Sequence, residues 1–81
     1  MTYNEAKEVR NSLEAMVRAT ERTLKAFPRE GLMNLVSEDV RLSPEYRAAK
    51  AAYRRVFSEL QSFNTTFVKK FSKEIRLERR R

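Results

Sequence analysis

The sequence predicts an all-α fold, an antiparallel hairpin of two long helices with a short helical turn between them, and three observations carry that reading. Apolar residues recur at intervals of three and four in both halves of the chain. Strong helix starts stand at Thr2 and at Ser43. Between the halves, residues 28–43 gather Pro28, Gly31, Asn34, Ser37, Asp39 and Ser43, a set rich in turn formers.

The first helix is expected over about residues 3–27. Thr2 with Glu5 three positions later fits a capping box, in which each side chain satisfies a free backbone N–H of the other. Ala6, Val9, Leu13, Met16, Val17, Leu24 and Phe27 then fall on one face, with Thr20 as its weakest position. Pro28 closes the segment, because the residue before a proline is pushed out of the helical region.

The connector, residues 28–43, surrounds a short apolar patch of Leu32, Met33, Leu35 and Val36. One helical turn is expected there, capping the end of the helix pair, with Val40 and Leu42 packed inward. Sixteen residues is long for a connection in a compact domain, where about 4–6 is usual.

The second helix is expected over about residues 44–78 without interruption. Ser43 is the N-cap, Pro44 occupies the first position, where no N–H is needed, and Glu45 favours the positive end of the dipole. Tyr46, Ala49, Tyr53, Val56, Leu60, Phe63 and Phe67 alternate intervals of three and four, and Phe57, Phe71 and Ile75 widen and extend the stripe. Asn64, Thr65 and Thr66 are mediocre helix formers, so a three-helix bundle with a break near residues 62–65 is the alternative. The basic end of this long helix is expected to overhang the hairpin.

An 81-residue chain is a single domain with a small core. Two helices leave aromatic surface uncovered, so a homodimer forming a four-helix bundle is expected. No histidine or cysteine is present, which removes the usual general base, thiolate chemistry and the commonest metal ligands. Glu38-Asp39, the only adjacent acids, have no companions to complete a cation site. The chain is therefore read as a binding protein, not an enzyme, with no cofactor, no metal and no small-molecule substrate. No apolar run approaches the roughly 20 residues of a membrane span, and no secretory signal pattern opens the chain, so a cytoplasmic location is expected.

The net charge of +7 is unevenly spread. Residues 1–42 carry seven basic and seven acidic side chains, whereas the last thirteen residues carry seven basic against two acidic. This basic C-terminal arm, Lys69, Lys70, Lys73, Arg76, Arg79, Arg80 and Arg81, suits phosphate contacts. Arg47, Lys50 and Arg54 form a second basic stripe at helical spacing, flanked by Arg55, which either extends that surface or pairs with acids of the first helix such as Glu14 and Glu21. The leading functional expectation is a nucleic-acid-associated accessory protein without strong sequence preference, a small basic composition that resembles accessory proteins of phages and mobile elements. The alternative is an adaptor or inhibitor that docks an aromatic face, Tyr53, Phe57, Phe63, Phe67 and Phe71, into an acidic or other partner protein. The tyrosines are expected to pack in the core rather than stack on bases.

Overall fold

The computed structural model describes residues 1–80; Arg81 lies outside the described residues. The chain is mostly helical, as its periodicity predicts, with one very small sheet. In order, it runs α1 (Tyr3–Lys25), β1 (Arg29–Glu30), β2 (Leu35–Val36), α2 (Glu38–Arg41), α3 (Pro44–Lys70) and α4 (Ser72–Arg79).

Both long helices start where capping chemistry places them. The Glu5 N–H donates to Thr2 Oγ1 at 3.2 Å and the Thr2 N–H donates to Glu5 Oε1 at 3.1 Å, a complete capping box. At α3 the Tyr46 N–H donates to Ser43 Oγ at 3.3 Å, and Pro44 follows the cap. Tyr3, at the start of α1, stacks on Phe67 near the end of α3 with ring centroids 5.7 Å apart. Phe27, just past α1, meets Tyr46 at the start of α3 edge-on at 5.1 Å. The two helices therefore lie side by side and run in opposite directions. Thr20 is accommodated on the packed face because its hydroxyl donates back to the Val17 and Met16 carbonyls.

The connector holds one helical turn, as expected, but not at its apolar patch. Its apolar patch does not form a helical turn; Arg29 and Glu30 pair antiparallel with Val36 and Leu35 instead. Gly31 at φ 80° and Asn34 at φ 52° make the reversal, and these are residues that enter the left-handed region at low cost. Leu32 and Met33 are carried into solvent at its tip. The single helical turn comes later, as α2, capped by Ser37 through the Val40 N–H. Leu42 does not pack inward, being 56 % exposed.

Helix α3 runs without a break through Asn64–Thr66, where Thr65 and Thr66 donate back to the Gln61 and Ser62 carbonyls. The interruption falls at Phe71, whose backbone leaves helical values at φ −114°, ψ 27°. Its ring is buried beside Tyr3 and Phe67. No glycine or proline marks the site; burial of the ring accompanies the departure from helical geometry.

This break changes the course of the basic end. Tyr3 and Arg10 both reach the Phe67 ring, so Lys7 between them sits level with Phe67. In a straight helix Glu78 would lie about 16 Å beyond Phe67. Instead, Lys7 Nζ and Glu78 Oε1 are 2.7 Å apart, so α4 folds back toward α1 rather than overhanging it.

The core is thin. Ala6, Val56, Phe67 and Phe71 are the buried apolar side chains among the described residues, supported by half-buried Tyr3, Phe63 and Ile75. Among the described residues no helix is long and apolar enough to cross a membrane.

Candidate nucleic-acid interface

A straight α-helix turns about 100° per residue, so residues three and four apart share a face. On α3, Arg47, Lys50, Arg54, Ser58, Gln61, Thr65 and Lys69 form such a stripe, and every one of them is exposed. The acids of α3, Glu45 and Glu59, lie outside it, about 80° or more round the helix from its nearest member. The stripe is therefore free of negative charge along its length, cationic at both ends and neutral in the middle.

The basic side chains of this surface are not consumed by internal pairing. Among the described residues the ion pairs are Lys7–Glu78, Arg10–Glu14 and Lys25–Glu21. Glu14 and Glu21 thus pair within α1 and leave Arg47, Lys50 and Arg54 without acidic partners among the described residues. Lys69, Lys70, Lys73, Arg76, Arg79 and Arg80 are likewise exposed and unpaired among the described residues, while Arg81 lies outside them.

Two local gatherings result. Near the connector, Arg47, Lys50 and Arg54 share a shallow depression of about 230 Å³ with Tyr46 and with Arg41 of α2. Lys50 Nζ lies 5.8 Å from the centre of the Tyr46 ring, a cation–π arrangement that leaves the ammonium accessible. Arg41 was not legible as a member, because its place depends on the connector's fold rather than on any helical spacing. At the other end, Lys73, Arg76, Leu77 and Arg80 share one face of α4.

Between α1, α3 and α4 runs a groove of about 530 Å³, bordered by Arg10, Arg76 and Arg79 over a floor that includes Phe67 and Ile75. Arg10 lies over the Phe67 ring at 5.0 Å. Its Nε is enclosed and has no hydrogen-bond partner among the described residues. The nearest carboxylate oxygen, on Glu14, is 3.9 Å away, beyond hydrogen-bonding distance. The periodicity of α1 places Arg10 beside the apolar face but gives no sign that α4 folds back to complete a groove with it.

The aromatic residues divide. Phe67 and Phe71 are buried within the chain against Tyr3 and Ala6, and half-buried Phe63 stacks on Phe67 at 6.0 Å. Phe57 remains 39 % exposed, stacked on half-buried Tyr53 at 5.8 Å. Tyr3 is packed too, with its hydroxyl donating to Glu78 Oε2 at 2.7 Å.

Charge states at the clasp follow from these contacts. The Glu78 carboxyl is held below its ordinary value by the hydrogen bond from Lys7 and then that from Tyr3. The Tyr3 phenol is pushed up by desolvation, then by the bond to Glu78 and its charge. Comparison with protein families, characterised proteins and solved structures returns no match, so the surface itself carries the functional argument.

Proposed function

We propose that this chain is a small non-enzymatic helical protein that binds nucleic acid through backbone phosphates, as an accessory or regulatory factor. The observation that carries the reading is the acid-free exposed face of α3, continued by the cations of α4, with none of its basic side chains engaged by an acid among the described residues. Free cations on one face release counterions when they meet phosphates, which supplies affinity without sequence readout. Exposed Phe57 on the flank between the two cationic ends adds a stacking surface of the kind single strands use.

The helix pair is further inferred to act as a dimer, completing a four-helix bundle. Its surface of 6606 Å² exceeds the about 5,100 Å² that a monomer of this mass shows. The excess is larger than the about 800 Å² per partner that a standard interface buries. Val9 and Met16, exposed on the flank of α1 turned away from Arg10 and Glu14, offer an apolar surface to a second copy. The adaptor reading has less support, because Phe67 and Phe71, central to its aromatic ridge, are already covered within the chain.

The test is fluorescence anisotropy of the purified protein with generic single-stranded and duplex nucleic acid at several salt concentrations. Binding that weakens steeply with salt is expected. Absence of binding at low salt overturns the reading and returns attention to protein partners.

A further inference from the structure

We propose that the groove between α1, α3 and α4 receives one unstacked nucleotide of a single strand, its base against the Arg10 guanidinium and Ile75 and its phosphate against Arg76 and Arg79. The proposal rests on the nucleic-acid reading above and deepens it. The groove's volume, about 530 Å³, falls in the range of about 300–1,000 Å³ typical of small-ligand clefts.

Its two walls differ in charge, the α4 wall being cationic and the α1 wall, with Arg10 beside Glu14, neutral overall. The α4 wall presents Arg76 and Arg79, three positions apart and neither in an ion pair among the described residues, to an incoming anion. The α1 wall presents Glu14, which repels an anion but accepts hydrogen bonds. A ligand that fits carries a negative group at one end, an N–H donor at the other and a flat apolar body between. A nucleotide with an exocyclic amine has that sequence of groups, and carboxylates accept from such amines in base recognition.

Arg10 supplies the second argument. Its planar guanidinium already lies over an aromatic ring, and planar guanidinium groups stack on unstacked bases as aromatic rings do. The Arg10 Nε–H is enclosed without an acceptor among the described residues, and an acceptor on a bound base would remove the cost of leaving that donor unpaired. Asn64, also lining the groove, carries both a donor and an acceptor for a base edge. A hydrocarbon chain would leave Asn64, Glu14 and the Arg10 Nε unanswered, and an acidic peptide would set a carboxylate against Glu14.

The geometry predicts a preference for single strands over duplex, and for cytosine or adenine over thymine. Labelled dC, dA and dT oligonucleotides and a duplex are titrated against wild type, Glu14→Ala and Arg79→Ala. Both replaced side chains are at least partly exposed, and circular dichroism verifies that each variant keeps the fold. Wild type is expected to favour dC and dA over dT by on the order of tenfold, the worth of one hydrogen bond to a charged group. Glu14→Ala should erase that preference while retaining binding, and Arg79→Ala should weaken all three strands more than the duplex. Duplex bound as tightly as single strands, or a base preference unchanged in Glu14→Ala, overturns the groove assignment and leaves phosphate binding by the α3 face standing. Failure of every nucleic acid to bind overturns both.

Discussion

The Tyr3 hydroxyl donates a 2.7 Å hydrogen bond to Glu78 Oε2, joining side chains 75 positions apart. Lys7 takes the other oxygen of the same carboxylate at 2.7 Å. Two residues of the first helix thus hold the last helix by one acid, while Phe71 at the break turns its ring into the core beneath. The consequence reaches the candidate site. The clasp sets the position of α4, and α4 carries the arginines that border the groove.

Replacing Glu78 with alanine should release α4 from α1 without unfolding the helix pair. Amide exchange should quicken several-fold across Ser72–Arg79 and stay unchanged in the middle of α1 and α3, because the remaining contacts of those helices do not involve Glu78. Unaltered exchange in α4 would mean that Phe71 and Ile75 hold it unaided.

The same clasp has a defined pH window. A carboxyl depressed in the folded state contributes stability above its ordinary value of 4.5 and loses it as pH falls through the lower folded value. A phenol raised in the folded state contributes below its ordinary value of 10.0 and loses that contribution as pH rises through the higher folded value. Exchange protection in α4 should therefore be greatest between these limits and fall at both ends. Glu5 in the capping box is also depressed, by the Thr2 N–H and then its hydroxyl, so acid loosens the start of α1 independently. Removing the acid-side change from α4 alone by Glu78→Gln separates the two; a profile identical to wild type would assign the change to Glu5.

The two aromatic classes should respond very differently to truncation. Phe67 is 3 % exposed and touches Tyr3, Phe63, Phe71 and Arg10, so Phe67→Ala should cost about 3–5 kcal/mol. That loss is enough to unfold a domain with so thin a core. Phe57→Ala removes one exposed stacked pair and should cost about 1 kcal/mol. Thermal melts of both variants check this, and a severe loss in Phe57→Ala would place that ring in a dimer core.

Legibility from sequence followed the range of the interactions. Thr2, Ser43 and the three-four spacing act within a turn or two, so both long helices and their starts could be read directly. Leu32–Val36 misled because a short apolar run fits a helical turn and a strand alike, and the choice fell to the φ values that Gly31 and Asn34 permit. The break at Phe71 had no breaker residue to announce it, since its geometry goes with where the ring is buried. Hence the exposed cations of α3 and α4 could be named in advance as candidates, whereas the groove, which needs α4 folded back onto Arg10, could not.

The cationic face of α3 should show its size in salt dependence. Each phosphate neutralised on duplex DNA adds about 0.9 to the slope of log affinity against log salt. Reversing Arg47, Lys50 and Arg54 to glutamate should therefore flatten the slope by about 2–3 if each side chain meets a phosphate, with helix content preserved because all three are exposed. An unchanged slope would confine the contact surface to α4 and its arm.

Dimerisation makes a separate demand on Met16, which is 48 % exposed on the flank of α1 away from the groove. A glutamate there costs little in a monomer, because the side chain can reach water, but would place a charge in the centre of an apolar interface. Sedimentation should show wild type as a dimer and Met16→Glu as a folded monomer, whereas Phe57→Ala should remain a dimer if the contact uses the Val9–Met16 flank. Wild type sedimenting as a monomer at every concentration would mean that the excess surface serves the nucleic acid alone, and the two cationic ends would then meet the strand along one side of a molecule 49 Å long. Loss of the dimer in Phe57→Ala but not in Met16→Glu would move the interface to the opposite flank, where it would compete directly with the groove for the same side of α3.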